Sequence, residues 1–151
     1  MTQISTYDLN IAFWEKLGAL TYSGMKTLRP DEIFDPKELN STTPVRRGFI
    51  LLNDPGFRAF GHGVYSRIEG IYQIDIWLPR ATTSALQTIK QMSDAHVAHF
   101  FPANGRGLTL TENTTSANIH KRPAQKDLGR EGSYLREMIE VDFFVDEDPS
   151  A

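Results

Sequence analysis

Glu69-Gly70-Ile71-Tyr72-Gln73-Ile74-Asp75-Ile76-Trp77-Leu78-Pro79 is the stretch that decides the fold. Successive strand side chains point to opposite faces, so Tyr72, Ile74, Ile76 and Leu78 share one side while Gln73, Asp75 and Trp77 share the other. That alternation predicts a strand over 69–78 with one face on a core and one toward water, stopped by Pro79. Further along, Ile139, Val141, Phe143 and Val145 alternate with Glu140, Asp142 and Phe144, which predicts a second such strand over 134–145. A third strand is expected over 45–52, closed by the turn signal Asn53-Asp54-Pro55-Gly56. Shorter ones are expected over 108–111 and 116–121.

Two segments carry helical spacing instead. Ile11, Trp14 and Leu17, with Phe13 and Leu20, predict a helix over 7–20 capped by Ser5 or Thr6, with Gly18 weakening its last turn. Leu86, Ile89, Met92, His96 and Phe100 form one stripe of a helix over 83–101. Ser84 and Gln87 have capping-box spacing there, and Pro102 and Gly105 end the helix. The remaining chain reads as irregular: a proline-punctuated stretch over 27–44, a long mobile loop over 53–70 carrying Gly56, Gly61, Gly63 and Gly70, a loop over 122–133, and a frayed acidic tail over 146–151. The order of elements implies a single α+β domain spanning 1–151, with an ordered core of about 7–146. Its sheet is expected to be mostly antiparallel, with two helices packed on one face and long loops between strands.

Composition narrows the function. At 151 residues, 40% hydrophobic and 23% charged, the chain can bury one core without staples. The absence of cysteine removes disulfides, thiolate nucleophiles and Cys-ligated zinc, and fits a reducing cytoplasm. The N-terminus lacks a basic segment followed by an apolar run, and no stretch approaches the ~20 apolar residues that span a bilayer. A formal charge of −3 does not suit a protein that holds DNA by neutralising phosphates. Arg46-Arg47 and His120-Lys121-Arg122 read as solvated strand ends.

Motifs for catalysis are missing. Gly61-His62-Gly63 lacks the later glycine and lysine of a phosphate loop, and no serine sits in a nucleophile elbow. His96 and His99 are three apart on a helix, a spacing that can aim two imidazoles at one ion, but the helix supplies no glutamate partner and His96 falls on the apolar stripe. Asp75, Glu140 and Asp142 would cluster if their strands were neighbours, and could then hold a divalent ion. The reading preferred here is that they line the wet face of a sheet covered on one side, with no base or histidine placed to assist. No catalytic, metal-binding or cofactor-binding residue is therefore expected.

The run Arg67 to Pro79, the Leu51-Leu52-Asn53-Asp54-Pro55 strand end, Phe100-Phe101-Pro102 closing the second helix and the terminal Ile139-Glu140-Val141-Asp142 resemble, in order and spacing, the tail terminator-like proteins of long-tailed bacteriophages. The likeness runs from about residue 11 to 145, and the loop over 122–133 departs from it. The resemblance implies an α+β fold and a non-enzymatic, homo-oligomeric subunit that forms a hexameric ring. Such a ring caps the tail tube at its head-proximal end, ends tube polymerisation and meets the head-tail connector or head completion protein. It would be assembled in the host cytoplasm and become part of the virion. DNA would pass through without specific binding, and no membrane is involved. Asp75, Glu140 and Asp142 are the expected pore-facing acidic strip, since inward carboxylates repel phosphate. Phe57, Arg58, Phe60, Tyr65 and Arg67 on the glycine-rich loop are the expected assembly contacts, because aromatic anchors commonly dominate interfaces. Two other readings are a different head-tail completion or minor tail protein, and a small divalent-metal hydrolase or nuclease using the three carboxylates.

Overall fold

The computed structural model describes residues 5–32, 43–52, 56–60, 63–103 and 106–147, without the side chains of 56–66 and 147. It is α+β, a curled and mostly antiparallel sheet with two helices on one face. In chain order the elements are α1 (Thr6–Ala19), β1 (Lys26–Leu28), β2 (Val45–Leu52), β3 (Gly56–Phe60), β4 (Gly63–Pro79), α2 (Ala85–Phe100), β5 (Leu108–Glu112), β6 (Thr115–Ile119), β7 (Ala124–Glu131) and β8 (Tyr134–Glu147). The main path runs β1-β2-β4-β8-β6-β5, with β3 added to β4 and β7 to β8. Among the described residues, only β1 and β2 run parallel.

Residues Glu69 to Pro79 form the C-terminal part of β4, which lies antiparallel to β8 from Ser66↔Glu147 to Pro79↔Tyr134. Every other strand is placed by this long pair. The far edge of β4 takes β2 along 70–77 and β3 along 63–67. The far edge of β8 takes β7 along 134–140 and touches β6 at Phe144.

The inner face follows the predicted alternation. Tyr72, Ile74, Ile76 and Leu78 join Ile139, Val141 and Phe143 in one core with Leu9, Phe13 and Leu17 of α1 and Ile89, Met92, Val97 and Phe100 of α2. Phe13 is its centre, with ring centroids 4.5 Å from Tyr72 and 4.9 Å from Phe143. The Ser5 hydroxyl caps α1 by accepting from the Asp8 N–H at 3.1 Å. The expected capping box on α2 does not form. Ser84 is in the left-handed region at φ 53°, and its side chain makes no cap hydrogen bond. Leu86, assigned to the apolar stripe, is 61% exposed, because the stripe first meets the sheet at Ile89.

Two segments read as loops are strands. Residues 56–60 and 63–67, within the expected mobile loop over 53–70, pair as a hairpin from Gly56↔Arg67 to Phe60↔Gly63. Residues 124–131, within the expected loop over 122–133, form β7, which has a bulge between Asp127 and Gly129. Of the stretch over 27–44, Thr27 and Leu28 belong to β1, while 33–42 lie outside the described residues, as do 148–151 of the acidic tail.

Gly48 is required by packing. It sits on the inner face of β2, where an added Cβ would overlap the Tyr72 hydroxyl and ring, and Tyr72 cannot retreat because Phe13 stacks on it. Gly48→Ala is expected to lower folding stability by about 2 kcal/mol, as overpacked cores do. A denaturation midpoint unchanged from wild type would show that the sheet can move aside.

Candidate interaction surface

The outer face of the β4–β8 pair carries the chemistry-bearing residues that the sequence singled out. Register puts Asp75 opposite Met138, Gln73 opposite Glu140 and Ile71 opposite Asp142, so the three carboxylates do share one face. Their surroundings differ from the expected wet acidic strip. Asp75 is fully buried. Its carboxylate accepts from Arg136 Nη2 at 3.1 Å and from the Gln73 amide at 3.3 Å, and lies 3.9 Å from Arg47 Nη2. Both arginines stack on Trp77, their guanidinium carbons 5.9 Å (Arg47) and 5.2 Å (Arg136) from its ring centroid. The indole N–H donates to Glu131, which also accepts from Arg136. Leu28, Val45, Trp77 and Tyr134 form a second small core beside this network.

Burial here comes from neighbours on the same face. Long side chains at cross-strand positions on β2 and β8 lie over the short one on β4. The expectation that no base attends these acids is therefore corrected. Asp75 has two arginines, Glu140 has Lys126 at 3.0 Å and Asp142 has Lys121 at 2.9 Å. Each charge is balanced within the chain, so the strip does not present a row of bare carboxylates. Among the described residues, no group of three His, Asp or Glu side chains is arranged to hold a metal ion.

The paired histidines diverge. His96 is fully buried, and its Nε2 lies 3.0 Å from Arg46 Nη1. Because arginine can only donate, Nε2 is the acceptor and the proton sits on Nδ1, which donates to the Met92 carbonyl at 2.7 Å. His99 turns toward α1 and donates from Nε2 to the Lys16 carbonyl. Arg46, itself buried, also donates to the Thr27 hydroxyl at 2.8 Å and lies 6.0 Å from the Tyr22 ring centroid. Neither it nor His96 was legible as a structural pair from the sequence, where Arg46 read as a solvated strand end.

Of the expected assembly contacts, Phe57, Arg58 and Phe60 fall on β3 and Tyr65 on β4, with Arg58 and Tyr65 in register. Their side chains are outside the described set. Arg67 is engaged within its own chain: it makes a two-pronged pair with Asp146 at 2.7 and 3.1 Å and lies 4.2 Å from the Phe144 ring centroid. The hairpin prolongs the sheet beyond β2, whose pairing with β4 ends at Leu52↔Gly70.

What the fold defines is a curled α+β sheet whose outer-face acids are neutralised by neighbouring bases. No family model matches the sequence, and no curated protein matches it. One solved structure, determined by NMR and carrying no functional description, is similar over 97% of this chain and 99% of that chain, with a TM-score of 0.66. At 14% identity, that likeness shows the fold alone. No helix among the described residues is long and apolar enough to cross a membrane.

Proposed function

We propose that this chain is a structural, non-catalytic subunit of a phage tail terminator, a homohexameric ring that caps the tail tube and offers the surface for head joining. The observation that carries the reading is the position of the motif strand. Arg67 to Pro79, on which the resemblance rests, lies in β4, a central strand of the sheet, with α1 and β2 before it and α2 directly after it, while β1 and β3 are additional strands. The β3–β4 hairpin supports it further. It continues the sheet along β4 beyond the end of β2, and on it lie Phe57, Arg58, Phe60 and Tyr65, the residues expected to make the assembly contacts. DNA traverses such a ring without specific contact. The face built on Asp75, Glu131, Glu140 and Asp142 suits that role, because Arg47, Arg136, Lys126 and Lys121 match these four acids in number and leave no phosphate-binding excess of base.

Length control tests the reading. Tube subunits polymerised alone are expected to give tubes of uncontrolled length, and adding this chain is expected to give tails of one length that accept heads, as scored by electron microscopy. Tails of normal length that join heads in its absence would refute the assignment.

A further inference from the structure

Arg46 is a buried cation without a counter-charge. It is 3% exposed, and its guanidinium is held only by neutral groups, the Thr27 hydroxyl and the His96 imidazole. No carboxylate among the described residues forms an ion pair with it. Glu137, across Ile76 in the same row of the sheet, is already taken by Lys90 at 2.7 Å. Burial lowers the Arg46 pKa, and the groups that oppose the shift are the phenols of Tyr22 and Tyr72. Buried charges are normally paired, because an unpaired one forfeits its hydration without return.

A cavity of about 390 Å³ adjoins this cation, walled by Tyr22, Pro44, Leu78, Thr88, Gln91 and Met92. Its walls are mostly apolar, and small-molecule sites commonly measure about 300–1,000 Å³. Three walls lead from the cavity to Arg46. From Pro44 and Leu78, two residues along each strand reach Arg46 and Ile76, which lie opposite each other in register. On α2, one turn from Met92 reaches His96, whose Nδ1 donates to the Met92 carbonyl. The Tyr22 ring bounds the cavity on the same side, its centroid 5.8 Å from that of His96 and 6.0 Å from the Arg46 guanidinium carbon. The cavity thus has an apolar body and one end beside an unmatched positive charge, where low dielectric makes an anion count for more than in water.

We propose that this cavity binds a small apolar monocarboxylate, its hydrocarbon body against Leu78 and Met92 and its carboxylate at the Tyr22 end, next to Arg46. A neutral apolar molecule would leave the cation unmatched, and a bare anion would leave the apolar walls empty. The site goes beyond the ring reading and does not depend on it.

Calorimetric titration of the wild-type chain with three probes tests the proposal without altering Arg46, which ties α2 to β2. Octanoate is expected to bind one to one, about tenfold more tightly than 1-octanol, the preference a hydrogen bond to a charged group confers. Acetate, which has the charge without the body, is expected to give no measurable heat. Thr88→Trp fills the cavity from the helix side, and Gln91→Trp does so from an exposed position. Both are expected to abolish octanoate binding with the far-UV circular dichroism unchanged, and the second stands in should the first fail to fold. Four results overturn the proposal: no octanoate binding, octanol binding as tightly as octanoate, acetate binding as tightly as octanoate, or octanoate binding undiminished in a folded tryptophan variant. The terminator reading is decided separately, by tail length.

Discussion

Asp75→Ala is expected to lose about 4 kcal/mol of folding stability, because removing one member of a buried charge network leaves its partners uncompensated. For a chain of this size each kcal/mol moves the melting temperature by roughly 2–4 °C, so the transition should fall by about 10 °C. The geometry dictates the size of the effect. Asp75 has no access to water, and Arg136 and Arg47 converge on it from strands on either side. Without the carboxylate, two cations flank Trp77, and Glu131 alone remains to neutralise them. Asp75→Asn retains an acceptor for Arg136 and should lose less. Glu140→Ala is the contrasting case, since its partner Lys126 is half exposed and such pairs contribute about 0–1 kcal/mol. Thermal melts that place Asp75→Ala within about 1 kcal/mol of wild type would mean that the network does not hold the strands.

The second large effect is acid sensitivity. Burial, together with the neighbouring Arg46 and His99 cations, lowers the His96 pKa to about 4, although its hydrogen bond to the Met92 carbonyl acts in the other direction. In the unfolded chain the same imidazole titrates near ~6.5. Between those values the unfolded state binds a proton that the native state refuses, so stability rises with pH across the interval. It is fully present above about pH 6.5 and should fall by roughly 3 kcal/mol as pH drops to about 4. Protonating His96 removes its acceptor and sets two cations face to face with Arg46, on the contact that ties α2 to β2. His99 is shifted down as well, by burial first, and adds a weaker dependence of the same sign. His96→Gln keeps an amide oxygen for Arg46 and cannot titrate. Its unfolding free energy should therefore show a much flatter pH profile in denaturant titrations, and a profile as steep as wild type would move the effect elsewhere.

The sequence disclosed the elements whose burial is one-sided. β4 and β8 were legible because aliphatic and polar residues alternate along both, and each presents one face to helices. β7 was not, since Ala124-Gln125-Lys126-Asp127-Leu128-Gly129-Arg130-Glu131 is an edge strand with no buried residue and hence no apolar period. The β3–β4 hairpin was hidden by Gly56, Gly61 and Gly63, which weaken any strand propensity, and by the scarcity of aliphatic residues among them. The carboxylates were found and assigned to the right face, but not their state. Asp75 is buried by arginines, one of them 61 positions away, and only register brings them together. Arg46 and His96 escaped for the same reason, 50 positions apart and joined across two elements.

The long β4–β8 pair has a consequence for how the chain is made. β2 and β3 reach β4 over short connections, so a nascent chain can form this half of the sheet as soon as residue 79 emerges. β8 begins at Tyr134, and until it is synthesised one whole edge of β4 and the row of Tyr72, Ile74, Ile76 and Leu78 lack their partner strand. Pairings this distant in sequence are slow to close and leave unpaired strand surface exposed to aggregation meanwhile. Expression at reduced temperature, or with chaperones in excess, should raise the yield of native protein more than any change to the surface.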